Sequence, residues 1–256
     1  MPGKPTLQGS KDLPSTRLTF KKGNAKLGPD TTTFTLPAGH TCPGAATCLA
    51  KVVKNADGSR KLVDGPQQEV RCYAAALEIA FSNIHDMAWR NMDVLREAKT
   101  EARMKAVILR DLPVKATKVR VHVGGDFWSQ AYFNAWMEVA LSRPEVTFYA
   151  YTKSIIYWRG WLAANYVLPP NFKLVASDGG KFDALITQDM VTVTIVDHPD
   201  TAEAMGLEVD HDDSHAVENE KSFALIVHGV QRAGSDAADA IKVLKKEEVQ
   251  YAYARR

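Results

Sequence analysis

Long apolar runs are missing from this 256-residue chain: no uninterrupted stretch approaches the roughly 18 residues that cross a bilayer. An excess of either charge is missing too. With 32 basic and 30 acidic residues the formal net charge is +2, which gives no general attraction to nucleic acid or to an anionic membrane. The segment from Met1 to Lys22 is polar and lacks the apolar centre of a secretory signal. Cysteine is scarce. The three present are an odd number, all within residues 42–72, and with no export signal they point to a reducing compartment and to ligands rather than disulfides. The expected location is the cytoplasm, with no membrane partner.

What is abundant is ordinary. Apolar residues make up 45% of the chain and charged residues 24%, enough to fill a core without disulfides or a metal. Residues 1–30 are rich in Gly, Pro, Lys and Ser, lack periodicity and read as a flexible arm. Six short β-rich runs follow: 31–36, 118–123, 146–151, 172–176, 191–196 and 223–227. Helical spacing fills 66–110, predicting two helices, and also 129–141, 155–166 and 235–246. Residues 199–219 are acidic and read as a loop. No Gly/Pro/Ser-rich linker interrupts 31–246, so residues 31–256 read as a single α/β domain with a mostly parallel sheet of about six strands. Periodicity leaves two architectures open, a doubly wound sheet and a partial (βα) barrel.

The polar residues gather just after the strands. His40, Cys42 and Cys48 follow the first, Gly124-Gly125-Asp126 the second, and Thr152-Lys153-Ser154 the third. Ser177-Asp178 follow the fourth, Asp197-His198 the fifth, and His228-Gly229 the sixth. In parallel α/β folds the carboxyl ends of the strands build the site, because loops converge there over a rigid sheet. Lys153, Asp178 and His228 are therefore the catalytic candidates.

The cysteines are spaced by five and by twenty-three residues. Within the longer gap, Asn55-Ala56-Asp57-Gly58 is a tight-turn signal between two β-rich arms. A hairpin there returns the chain and leaves Cys72 at the first turn of the next helix, so residues 40–72 form one metal loop. Three thiolates suit zinc with a fourth ligand, His40 being the nearest, or a [4Fe–4S] cluster with one iron open. Three buried, unligated thiols are the bland alternative.

The runs Leu36–Cys48 (LPAGHTCPGAATC), Cys72-Tyr73-Ala74, Val121–Phe127 (VHVGGDF), Phe148–Ser154 (FYAYTKS) and Ala224–Gln231 (ALIVHGVQ) resemble the phage gene product 88 family. That likeness covers most of 31–246 and places the protein in the host cytoplasm. The layout also resembles radical S-adenosylmethionine (SAM) enzymes, with a cluster loop after the first strand of a partial (βα)6 barrel. This second resemblance implies Cys42, Cys48 and Cys72 as cluster ligands, Gly124, Gly125 and Asp126 at the methionine amino group, and Ser177 at the ribose or carboxylate. It also implies an electron donor as partner, while the phage-type resemblance implies a nucleotide or nucleic acid as substrate. The cysteine spacing departs from the common radical-SAM one of three and two residues, and Asp126 stands where a Glu is usual. A non-catalytic protein stabilised by zinc or a cluster, acting on host or phage macromolecules, is the competing expectation.

Other residues carry weaker signals. His122 lies within a strand and reads as a core histidine; His211 and His215 sit in DHDDSH, which reads as a solvated loop. Tyr149, Tyr151, Tyr157, Trp158 and Trp161, with Lys153 and Arg159 among them, offer a stacking surface or a core. Gly234-Ser235 reads as an ordinary helix cap.

Overall fold

The structure, a computed structural model, describes residues 13–249 except 25 and 166. In chain order the elements begin with β1 (Lys21–Lys22), β2 (Thr31–Thr33) and the hairpin β3 (Ala50–Lys54) and β4 (Arg60–Asp64). Three helices follow, α1 (Tyr73–Ala80), α2 (Ser82–Ala98) and α3 (Glu101–Asp111). The chain then alternates through β5 (Lys118–Arg120), α4 (Gln130–Ser142), β6 (Thr147–Thr152), α5 (Ile155–Asn165), β7 (Phe172–Ser177) and β8 (Thr192–Val196). It ends with α6 (Pro199–Ala204), β9 (Glu208–Val209), α7 (Ser214–Glu218), β10 (Phe223–Ile226) and α8 (Asp236–Lys246).

Among the described residues, eight strands form one sheet in the order β1-β2-β5-β6-β7-β8-β10-β9. Every pairing is parallel except β1 on β2. The six predicted strands are β2, β5, β6, β7, β8 and β10. The two rims, β1 and β9, do not pair with each other, so the sheet is open and no barrel is closed.

Side-chain alternation gives the sheet two different faces. Val119, Val121, Phe148, Ala150, Phe172 and Leu174 point to one side and pack on Phe133 and Trp136 of α4. Ser129 starts that helix by accepting from the Tyr132 amide at 3.2 Å. The opposite face carries Arg120, Tyr149, Tyr151, Val175 and Val193, with Ala216 of α7 packed over part of it.

Three expectations are corrected. The stretch 66–110 holds three helices rather than two: Phe81 is extended and separates α1 from α2, and Lys99 turns the chain at φ 64° before Thr100 caps α3. The acidic stretch 199–219 is not a loop but contains α6, β9 and α7, with Pro199 fitting the first helical position, where no N–H is needed. In the expected arm, residues 1–12 lie outside the described residues, whereas the described part of 13–30 is packed. Leu18 joins the main core, the Leu18 amide donates to Asp111 at 2.8 Å, and Lys21–Lys22 pair with β2.

Candidate functional site

A cavity of about 170 Å³ opens at the carboxyl ends of β5, β6, β7 and β10, and all three cysteines line it. Cys42 and Cys48 arrive on a loop lying across the strand ends. The Thr47 amide donates to the Gly179 carbonyl at 3.1 Å, and the Lys181 amide to the Gly44 carbonyl at 2.8 Å. This pins the loop to the turn after β7. Gly44 lies so close to the Lys153 carbonyl that a Cβ there would meet it at 2.1 Å.

The hairpin then brings the chain back. The amides of Glu69 and Val70 both donate to the Thr47 carbonyl, at 2.8 and 3.2 Å. Cys72 follows as the N-cap residue of α1. Arg71 fixes this return, clamping Asp64 at the end of β4 through two bonds of 2.9 and 2.6 Å. Its amide donates to Gln231 Oε1 at 2.6 Å.

Burial raises the pKa of all three thiols. For Cys42, burial is followed by the negative charge of Asp126 and by the neighbouring thiols. Cys48 is pushed up to about 11 by burial, opposed by the Lys153 cation. Burial also lifts Cys72, against the N–H groups of Ala75 and Ala74 at the start of α1. The thiols are thus protonated at neutral pH, and a cation binding there releases protons. Among the described residues, no group of three or more His, Cys, Asp or Glu side chains is placed to hold a metal ion.

His40 is turned away from this cavity. Its Nε2 pairs with the Val52 carbonyl at 2.8 Å, and its ring packs on Trp89 at 4.9 Å. It lines a larger groove of about 780 Å³ between the hairpin and α2, which contains none of the cysteines.

Gly124, Gly125 and Asp126 line the cavity. The glycines are required by packing: a Cβ on Gly125 would meet Thr41 Oγ1 at 2.5 Å, and one on Gly124 would meet Ala74 Cβ at 3.0 Å. Asp126 is buried and does not cap α4. Its oxygens accept from Thr152 Oγ1 at 2.6 Å, the Phe127 amide at 2.7 Å and the Lys153 amide at 2.9 Å. Burial raises its pKa to about 6 against those bonds. The carboxylate is engaged in joining the ends of β5 and β6. Lys153 reaches from β6 to β7, where Nζ donates to Ser177 Oγ at 3.0 Å and to the Asp178 carbonyl. Asp178 accepts from Thr194 Oγ1 at 2.6 Å and does not line the cavity. His228 does, with its ring 5.0 Å from that of Tyr73; burial lowers its pKa.

Sequence reasoning missed the ionic network deeper on this face. Asp213 binds Lys26 Nζ at 2.7 Å, Arg120 Nη1 at 2.6 Å and Tyr149 Oη at 3.1 Å. Burial opposes its ionisation, but Arg120 and Lys26 outweigh burial and hold its pKa below the usual value. Arg120 also donates to Tyr73 Oη at 3.1 Å and lies over the Tyr151 ring at 5.0 Å. Arg120 Nε and Tyr151 Oη are buried with no protein partner. One signal was present: in KVRVHV the polar residues alternate, placing a cation on the face opposite the core. His122 leaves that alternation at φ 70°, turning to Tyr132 Oη at 2.9 Å among core rings.

The remaining candidates are placed elsewhere. His211 is exposed, and His215 pairs with Glu208 at 3.0 Å. Trp158 and Trp161 are core residues, with Tyr157 packed beside them, and Arg159 is exposed on α5. Ser235 caps α8 by accepting from the Ala238 amide at 3.3 Å. No helix among the described residues is long and apolar enough to cross a membrane.

The gene product 88 family model matches residues 12–246. The chain is 32% identical over 143 residues to the Gene 88 protein of Mycobacterium phage L5, covering 52% of each chain. To the Gene 88 protein of Mycobacterium phage D29 it is 31% identical over 143 residues, covering 52% of this chain and 51% of that one. The chain thus aligns with about half the length of these curated relatives. No solved structure matches it. With the family model spanning nearly all the described residues, the chain belongs to the phage gene product 88 family.

Proposed function

We propose that Cys42, Cys48 and Cys72 hold a [4Fe–4S] cluster in a radical-SAM-like enzyme, with SAM and a nucleotide-type substrate sharing the cavity. The observation that carries this reading is the convergence of three thiols, from two limbs of the chain, on one cavity at the strand ends, while His40 faces away. A closed zinc site needs a fourth protein ligand; a three-thiolate cluster leaves one iron open. The six parallel strands β2, β5, β6, β7, β8 and β10 lie in sequential order in an open sheet, with the hairpin as an insertion, and that is the strand order of a partial (βα)6 barrel.

The donor set fits the group, since thiolates are the usual ligands of iron–sulfur centres. When bound, such a cluster supplies a one-electron reductant with an open coordination site. The protein's own residues supply position and charge. Lys153 places its cation beside Cys48 and offsets the charge of the bound thiolates. Gly124 and Gly125 keep the strand end close to the cysteine loop. Arg120 and Tyr151 offer their unpartnered Nε–H and hydroxyl to a ligand, and Tyr73 and His228 offer ring faces to a base. Asp126 organises the strand ends instead of meeting an amino group. The cavity is smaller than the roughly 300–1,000 Å³ of ordinary ligand pockets, so binding SAM includes an outward shift of part of its wall.

The test is electron paramagnetic resonance of anaerobically purified, dithionite-reduced protein with and without SAM. A [4Fe–4S]⁺ signal that changes with SAM, and is lost in Cys42→Ala, supports the enzyme. A signal indifferent to SAM removes the radical chemistry. One zinc per chain and no signal leaves a metal-stabilised binding protein.

A further inference from the structure

Arg120 is 9% exposed, and its guanidinium is used on one side. Nη1 donates to Asp213 at 2.6 Å and Nη2 to the Tyr73 hydroxyl at 3.1 Å, which fixes the plane of the group. The Nε–H has no partner. Two tyrosines of β6 share this face of the sheet and differ in the same way. Tyr149, opposite Arg120 in register, donates to Asp213 at 3.1 Å. Tyr151, two residues nearer the strand end, has its ring centre 5.0 Å from the Arg120 guanidinium, and its hydroxyl is buried without a partner. Arg120 and Tyr151 both line the inner cavity, whereas Tyr149 and Asp213 do not. A buried guanidinium N–H left unbound forfeits a charge-assisted bond, so its retention asks for a partner that the protein does not supply. The cavity wall beside it, formed by Val193, Leu225 and Val227, is apolar and offers no side-chain acceptor.

We propose that the deep end of this cavity binds the oxyanion of a small organic acid, a carboxylate or a phosphate ester. One of its oxygens accepts from Arg120 Nε and Tyr151 Oη, and its apolar body lies on Val193 and Leu225. The inference deepens the reading of this cavity as a substrate site, and it needs no metal on the cysteines. Charge favours an anion over a neutral carbonyl. Arg120 and Lys26 share the Asp213 carboxylate, and Lys153, which also lines the cavity, binds the neutral oxygens of Ser177 and Asp178. Among the described residues, Asp126 is the one carboxylate in the lining. At about 170 Å³ the cavity takes a one-ring acid without the outward shift that SAM requires.

The experiment uses the full chain as purified, with its iron content measured, and three probes of similar shape: benzoate, phenyl phosphate and benzamide. Binding is followed by isothermal titration calorimetry. One of the two acids binds, and neutral benzamide binds roughly tenfold more weakly; which acid it is tells a carboxylate ligand from a phosphate one. Tyr151→Phe is the variant, because Arg120 also holds Asp213. It removes a hydroxyl that bonds to nothing in the free protein, so its thermal midpoint without ligand equals or exceeds the wild-type value. Its affinity for the acid falls roughly tenfold. Equal affinity of Tyr151→Phe and wild type, benzamide as tight as the acid, or no binding of either acid overturns the site. An iron-free chain that binds the acid loses the cluster reading and keeps this one; a cluster-bearing chain that binds neither acid does the reverse.

Discussion

Glu78 is a buried carboxyl of α1 held against the segment that leads into the cysteine loop. It is 1% exposed; one carboxylate oxygen accepts from the Ala38 amide at 2.7 Å, and the other is buried without a partner. Burial raises its pKa to about 7 from the ordinary 4.5. The folded state therefore holds a proton that the unfolded state releases, and stability falls as pH rises from about 4.5 through 7. The loss is on the order of 3 kcal/mol, at about 1.4 kcal/mol per unit. Glu78→Gln keeps the acceptor for Ala38 and removes the titration. Thermal unfolding is expected to find the two proteins equal near pH 4.5 and the variant more stable at pH 8; a less stable variant at pH 8 rules this out. Gly125 makes a second case. Its φ is +84° and its missing Cβ faces Thr41, next to Cys42, whereas Gly58 at φ +85° has open space around it. Both Ala substitutions cost backbone strain of about 1–3 kcal/mol. Only Gly125→Ala is expected to lower iron per chain after anaerobic reconstitution, because only there does the methyl group displace the cysteine loop.

At the scale of elements, the hairpin decides whether the third cysteine reaches the other two. Its turn was legible in the sequence, because Asn-Ala-Asp-Gly supplies a residue tolerant of positive φ and side chains that bond their own backbone. Asp57 duly accepts from the Ser59 amide at 2.9 Å, and the pairing runs from Ala50 opposite Asp64 to Lys54 opposite Arg60. The clamp of Arg71 on Asp64 was not legible, since it depends on how the hairpin folds back toward α1. Arg71→Leu removes that partly buried bidentate pair. The far-ultraviolet circular dichroism is expected to be unchanged and iron affinity to fall about 10–100-fold, the usual cost of losing support for a ligand. Unchanged affinity assigns the pair to local stability alone.

Across the whole molecule, Asp213 joins the packed N-terminal segment, through Lys26, to the middle of the sheet, through Arg120. A run reading DHDDSH carries the pattern of a solvated loop because nothing local reveals its partners. Asp213 is buried only because two cations distant in sequence meet it there, and that depends on the tertiary fold. The strands and most helices were legible from period and caps. The faces of the sheet were half legible, as alternation in β5 shows until His122 departs from it. Asp213→Ala leaves Lys26 and Arg120 buried without their counter-charge, at about 3–5 kcal/mol. Chemical denaturation is expected to show that loss, and limited proteolysis to cut first between residues 13 and 30. Protection of that segment at wild-type level argues that Lys26 does not hold it.

The rims of the sheet have a consequence for behaviour at high concentration. One rim is the exposed lysine pair Lys21–Lys22 and the other is the two-residue Glu208–Val209. Among the described residues, an incoming chain finds no long row of free amides and carbonyls to extend, and on one side it meets two positive charges. Short, charged rims of this kind disfavour growth of the sheet by edge-to-edge pairing.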